Sequence, residues 1–172
     1  MFITLVAAYA DDRVLGKDNT LLWRLPDDMA RFTKMTSGQG KAVVVGRKTF
    51  MSVPEKYRPL KNRMNIVITR DKSWSYPGVH VAHSFEDAIH IAHAAHHRDI
   101  YVIGGGEIYN LALPLADKLE ITRVRASLLG DTFFPEFDDR EWRLENEEPH
   151  GKDEKHKYQF VFRTYVRKHT GL

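Results

Sequence analysis

The chain has 172 residues, 42% hydrophobic and 28% charged, which is ordinary globular material and enough for one domain with a sizeable core over residues 1–172. It contains no cysteine, so disulfide staples, thiolate nucleophiles and cysteine metal sites are excluded, nothing points to an oxidising compartment, and a cytoplasmic protein is expected. A formal net charge of +3 and a pI near 9.1 suit an anionic partner, but the basic residues are dispersed and no nucleic-acid motif accompanies them; small phosphorylated or carboxylated ligands are served equally well.

The opening Met1 to Ala10 is apolar, but with no basic leader and only a short run it reads as a buried first strand, Phe2 to Tyr9. No apolar stretch approaches the length needed to cross a bilayer, so no membrane partner is expected. The segment Asp11 to Leu25, with Gly16, Asn19 and Trp23, is a long connection of the kind that covers a site. Pro26 to Thr36 has helical periodicity, with Pro26 suited to the first position and Asp27 and Asp28 to the positive end of the helix dipole. Counted from Asp28, Phe32 and Met35 share its face while Asp27, Arg31 and Lys34 turn away. Either acid serves the dipole from solvent; an inward Asp28 instead loses hydration, which raises its pKa unless a partner supports the charge, and that partner can be a ligand.

Lys41 to Val45, Asn65 to Thr69 and Ile100 to Ile103 are short, β-branched and apolar, as strands buried on both faces are. Helical pieces follow Gly46 and span Ser84 to His97, where Ser84 and Asp87 have capping-box spacing. His90, His93 and His97 lie opposite Phe85, Ile89 and Ala92 and read as a solvated face, so no metal is expected. Leu119 to Ala126 and Tyr158 to Val166 read as strands, with the polar Glu147 to Lys157 as a hairpin connection in a unit beginning near Trp142. Alternating strands and helices predict a doubly wound α/β fold, a mostly parallel central sheet closed by an antiparallel C-terminal edge strand.

Two strand-to-helix turns offer glycine where a phosphate approaches: Gly46-Arg47-Lys48-Thr49, and Gly104-Gly105-Gly106 before Glu107-Ile108-Tyr109. Neither fits the Walker or Rossmann pattern, and each alone is equally a tight turn that needs glycine. Two together favour a cofactor with a pyrophosphate. Arg47 and Arg70 each follow a predicted strand, and guanidinium groups there suit a ribose phosphate, which prefers NADPH over NADH.

Over nearly its whole length the chain resembles the dihydrofolate reductase family. The resemblance is carried by Val6-Ala7-Ala8, Leu15-Gly16, Trp23-Arg24-Leu25-Pro26 leading to Asp28, Gly46-Arg47-Lys48-Thr49, Arg63, Ile103-Gly104-Gly105-Gly106 leading to Tyr109, Thr122, Gly130-Asp131-Thr132 and Phe134-Pro135. It implies hydride transfer from NADPH to the pterin ring of dihydrofolate, giving tetrahydrofolate for one-carbon and thymidylate metabolism; a monomer and antifolates as ligands are expected besides, while sensitivity to antifolates is not inherited from the resemblance. It assigns catalytic positions to Asp28, Trp23 and Thr122, with Asp28 gripping the aminopyrimidine edge and promoting protonation through water while Thr122 supports it. Val6, Ala7, Phe32, Val53, Leu60 and Ile103 become substrate-pocket positions, and Arg63 the partner of the glutamate-tail carboxylate. Cofactor positions are Ala8, Leu15 and Gly16 near the nicotinamide, Lys48 and Thr49 at the pyrophosphate, and Arg47 and Arg70 at the ribose phosphate. Gly46, Thr69, Ile103, Gly104, Gly105, Gly106, Glu107, Ile108 and Tyr109 complete that set, with Gly104-Gly105 at a cis peptide position and Asp11 to Leu25 as the mobile active-site loop.

Two residues depart from the family pattern: Leu22 stands where proline is usual, and Arg70 where a small hydroxyl residue is common. The competing readings are a reductase of the same fold acting on a tail-less pterin or a pyrimidine precursor of flavin, which gives Arg63 no task, and a mildly basic non-catalytic binding module.

Overall fold

A computed structural model describes residues 1–17 and 21–169; the part of the predicted loop that includes Asn19 lies outside them. An eight-stranded sheet forms the centre, in spatial order β5-β4-β3-β6-β1-β7-β10-β9. Its members are β1 (Phe2–Tyr9), β3 (Lys41–Gly46), β4 (Met64–Ile68), β5 (His80–Ala82), β6 (Asp99–Val102), β7 (Lys118–Val124), β9 (Trp142–His150) and β10 (Phe160–Arg167). A two-stranded ribbon, β2 (Val14–Gly16) with β8 (Thr132–Phe133), stands apart. The helices are α1 (Pro26–Thr36), α2 (Arg47–Ser52), α3 (Phe85–Ala94) and α4 (Gly106–Ala112). Among the described residues no helix is long and apolar enough to cross a membrane.

The first strand and α1 fall where the sequence places them, because each has one dominant pattern: an unbroken apolar run, and a helix opened by proline. Pairings from β5 through β7 are parallel, and Ala42, Val43, Val44, Ile66, Val67, Ile100 and Val102 are fully buried, as strands covered on both faces require. At the other side β10 runs antiparallel to β7 and β9 antiparallel to β10. The reversed strand is therefore β10, one position inside the edge.

Glu147 to His150, predicted as part of the connection, belong to β9 and pair with Phe160 to Arg163. Residues 143–149 of β9 are exposed, so this edge lacks the apolar alternation that marks a strand, and a bulge between Thr164 and Tyr165 shifts its register. Helix α3 is capped as predicted, Ser84 Oγ accepting from the Asp87 N–H at 3.0 Å. It ends earlier, at Ala94, because His96 takes a left-handed conformation (φ 61°). His90 and His93 are exposed and His97 half-buried beyond the helix end.

The two faces of the sheet are packed differently. One carries a continuous apolar core that joins Ile3, Leu5, Ala7, Tyr9, Leu119 and Ile121 to Phe85, Ala88, Ala92, Ile108, Tyr109 and Ala112. The other carries two separate clusters: Ala10, Trp23, Leu25, Val124, Phe160 and Phe162 form one, and Val45, Phe50 and Val67 the other. Helix α1 lies on this divided face with Phe32 and Met35 only half-buried. Its apolar stripe is thus not closed by the protein.

Candidate active site

The sheet positions the site through register. Ala8 pairs with Thr122 and Thr122 with Phe162, while Val6 pairs with Glu120 and Glu120 with Thr164, so these two rows share one face. Asp28, from the first turn of α1, comes down on the first row, where Thr122 Oγ donates to its Oδ1 at 2.5 Å. Burial raises the Asp28 carboxyl pKa above its ordinary value, against the Thr122 hydrogen bond and the Arg31 charge, which lower it. The expectation of an inward, dehydrated acid is met. Ala7, one step along β1, sends its side chain into the core on the opposite face and offers only its main chain here.

Arg31 does not turn away. Its Nη2 donates to Glu120 Oε2 at 2.6 Å and its guanidinium lies 4.5 Å from the Phe162 ring centroid. The second row explains this: Glu120 is only 7% exposed and also accepts from Thr164 Oγ1 at 2.7 Å, so a buried carboxylate on the sheet recruits the nearest cation from α1. Helical spacing gives no sign of an acid arriving from β7.

At the carboxyl ends of the strands the sheet opens. Pairing of β1 with β6 stops at Leu5 and Val102, and the next carbonyl, Val6 O, is met by the Tyr109 hydroxyl at 2.6 Å. Burial, with Asp28 nearby, pushes the Tyr109 phenol far above its usual range, which keeps it a neutral donor. Such a divergence at a switch in strand order is where open α/β sheets hold ligands.

The two glycine turns meet beside this opening. The Gly46 N–H donates to Gly104 O at 2.8 Å, and a Cβ on Gly105 would come within 2.9 Å of Thr49 Oγ1. The Gly104-Gly105 peptide is cis, and Gly104 has φ 122°, a region that suits glycine. Helices α2 and α4 start here with no side-chain cap, so no side chain accepts from their first-turn amides at the capping position. Leu15 and Gly16 approach from the ribbon: a Cβ on Gly106 would lie 3.0 Å from Thr132 and 3.9 Å from Leu15. A nicotinamide dinucleotide fits this donor set, a close-approach glycine cradle with uncapped amides and cations at its rim. Because α4 opens on three glycines, its helix is not evident from propensity.

Lys48 is exposed and Arg47 half-buried on α2. β3 and β4 are neighbours in register at Gly46 and Ile68, so Arg47 and Arg70 follow adjacent strand ends. Arg47 stands near Asp71, whose carboxyl is held below the usual range first by hydrogen bonds from Ser73 and also by that guanidinium. Arg70 is exposed, its Nη2 2.6 Å from Glu107 Oε1. Thr69 is buried and its Oγ1 accepts the Asp71 N–H, fixing the turn that carries Arg70.

Val53, Leu60 and Ile103 line one small cavity together with Thr49, Phe50 and Tyr57. Phe32 faces the divided side of the sheet from α1, and Trp23 packs in the cluster with Leu25, Phe160 and Phe162, with Leu22 and Ala8 at its edge. Arg63 donates from Nη1 to Thr36 Oγ1 at 2.9 Å and from Nε to the Lys61 carbonyl at 2.8 Å. It stands at the far end of α1 from Asp28, about 12 Å along a helix that rises 1.5 Å per residue. A larger cavity of about 860 Å³ opens at the amino ends of the strands, lined by Gly38, Asn62, Arg63, Met64, His96 and His97. It shares only Arg63 with the groups above and holds neither Asp28 nor a glycine turn.

A parallel sheet whose glycine turns adjoin a dehydrated acid defines an α/β oxidoreductase that works with a nicotinamide dinucleotide. Comparison with known proteins gives the particular kind. Residues 2–167 match the family described as dihydrofolate reductase. The chain is 39% identical over 168 residues to a dihydrofolate reductase of Bacillus subtilis, covering 98% of this chain and 96% of that one. It is 40% identical over 168 residues to one of Haemophilus influenzae, covering 98% and 100%. A solved dihydrofolate reductase from Enterococcus faecalis, complexed with NADP(H) and RAB-propyl, superposes with a TM-score of 0.87 at 33% identity, covering 98% of this chain and 97% of that one. The chain belongs to the dihydrofolate reductase family.

Proposed function

We propose that this protein reduces 7,8-dihydrofolate to 5,6,7,8-tetrahydrofolate with NADPH, as a single-domain cytoplasmic monomer open to antifolates that mimic the pterin edge. The observation that carries the reading is the Asp28–Thr122 pair set over β1 and β7, beside the opening where the two glycine turns meet.

Bound NADPH supplies the hydride. Asp28 Oδ1 accepts the Thr122 hydroxyl and, each carboxylate oxygen having two acceptor sites, Oδ1 and Oδ2 together pair with the amino and ring N–H donors of an aminopyrimidine edge. Held in that pairing, the carboxylate orients the heterocycle and favours positive charge on it, which promotes protonation of the ring nitrogen from water. The apolar walls Val6, Phe32, Val53, Leu60 and Ile103, with Trp23 and Ala8 nearby, exclude water from the reacting face. Lys48, Thr49, Arg47 and Arg70 hold the phosphates of the cofactor, with the amides of the glycine turns as further donors.

Arg63 favours a substrate with an acidic tail over a tail-less pterin. Held by Thr36 and the Lys61 carbonyl, its guanidinium stands a helix length from Asp28, a spacing that suits the acidic tail of a substrate whose ring Asp28 grips. The deciding experiment follows NADPH consumption at its absorbance band with dihydrofolate, beside NADH and a tail-less pterin. Turnover is expected with NADPH and dihydrofolate above the other combinations; none with dihydrofolate refutes the reading.

A further inference from the structure

Helix α1 brings no cap of its own. Leu25 occupies the capping position, Pro26 has no N–H, and the Met29 N–H returns to the Leu25 carbonyl. The Asp27 N–H, next to the acid of the site, is met from far away in sequence: it donates to His156 Nε2 at 3.2 Å. His156 comes from the connection between β9 and β10, is 1% exposed and packs against Phe160 with ring centroids 5.0 Å apart.

The imidazole is held in one orientation. Its Nδ1 lies 2.8 Å from Asp153 Oδ1, and the same oxygen accepts the N–H groups of Lys155 and His156 at 2.8 Å each. With Nε2 accepting the Asp27 N–H, Nδ1 is the nitrogen that donates to Asp153. Asp153 and Asp27 are the carboxylates within 4 Å of the ring nitrogens, the latter at 3.9 Å from Nε2. These three side chains also have ligand atoms within 4.8 Å of one another, but both ring nitrogens are already in use for hydrogen bonds. The trio is therefore read as a clamp rather than a metal centre.

We infer that His156 is a positioning residue for Asp28, capping the first turn of α1 from the β9–β10 connection so that the carboxylate meets both Thr122 and the substrate. This rests on the function proposed above. Asp28 is covalently next to the capped amide, and its 2.5 Å bond to Thr122 tolerates little displacement of that turn. Loss of the acceptor at Nε2 leaves the Asp27 N–H without its partner and frees the turn to tilt toward solvent.

The test compares His156→Leu, which keeps bulk and loses the acceptor, with His156→Gln, which keeps an acceptor, after thermal melts and circular dichroism show both folded. His156→Leu is expected to lower kcat about tenfold, within the range that ångström-scale misplacement costs. NADPH affinity should stay within about twofold, because the glycine turns lie elsewhere. The Leu variant should also move the pH dependence of kcat toward acid, as Asp28 becomes better hydrated, and His156→Gln should recover most of both. A folded His156→Leu with the kcat and pH profile of the parent, or equal damage in both variants, overturns the inference. Should His156→Leu fail to fold, Asp153→Asn carries the test, since an amide there releases the tautomer and should produce the same acid shift; an unchanged profile overturns the inference. Carbon-13 titration of the Asp28 carboxyl in parent and variants reads its environment without turnover. It separates failure of this inference from failure of the proposed reaction.

Discussion

Asp28 is held in a place that costs the folded chain stability and gives the site its acid. Its folded pKa lies above the unfolded one, so ionisation opposes folding at pH values above the unfolded pKa, and that cost disappears as pH falls through the carboxylate range. Asp28→Asn keeps an oxygen for Thr122 and removes the charge. It is expected to lower turnover by roughly 10²-fold or more near neutral pH while leaving NADPH affinity intact. The same variant should be more stable than the parent by an amount on the order of 1 kcal/mol at neutral pH, a gain that fades toward about pH 4. Paired thermal melts at the two pH values check the sign. Arg63→Leu is expected to raise KM for dihydrofolate about tenfold or more with kcat nearly unchanged, since it removes a contact made equally in ground and transition states. An unchanged KM in steady-state assays would take that role from Arg63.

Among the elements, the glycine turns carry the sharpest expectation. A methyl group on Gly105 would meet the Thr49 hydroxyl at 2.9 Å, pushing apart the two turns proposed to cradle the dinucleotide. Gly105→Ala should therefore weaken NADPH binding by about tenfold or more, on the order of 1.4 kcal/mol, in a fluorescence titration. Dihydrofolate binding should change much less. How far these elements are legible in the sequence depends on where their information lies. For β1, α1 and the cap of α3 it is local, in an apolar run, a first-position proline and a serine three residues before an aspartate, and the reading holds. For β9 it is not, because a solvated edge needs no apolar alternation and takes its identity from pairing with β10. The three-residue β5 is too short to show a period, and α4 opens on residues that disfavour helix. In the site, Asp28 and Thr122 were readable as residues, whereas the turn of Arg31 onto Glu120 and the reach of His156 to α1 join positions 89 and 129 residues apart. Periodicity along one element carries no trace of such meetings.

For the molecule as a whole, the uneven packing of the two sheet faces separates scaffold from cleft. The continuous core against α3 and α4 supplies most of the apolar burial, while the divided face leaves Phe32 and Met35 half-open to ligands. Ligands that bridge the division should stabilise by mass action. NADPH at about 100 times its dissociation constant is expected to add about 2.7 kcal/mol and to raise Tm accordingly. NADH at the same concentration should raise it less if Arg47 and Arg70 grip the ribose phosphate, and equal shifts in scanning calorimetry would rule out that grip.

One phenol decides how the parted strands stay parted. Beyond Leu5 the first strand keeps β7 on one side but has lost β6 on the other, and Tyr109 stands in for the missing peptide by reaching the Val6 carbonyl. The mouth of the sheet is thus propped to the reach of an aromatic ring, by a side chain rooted in α4, the helix that follows the triple-glycine turn.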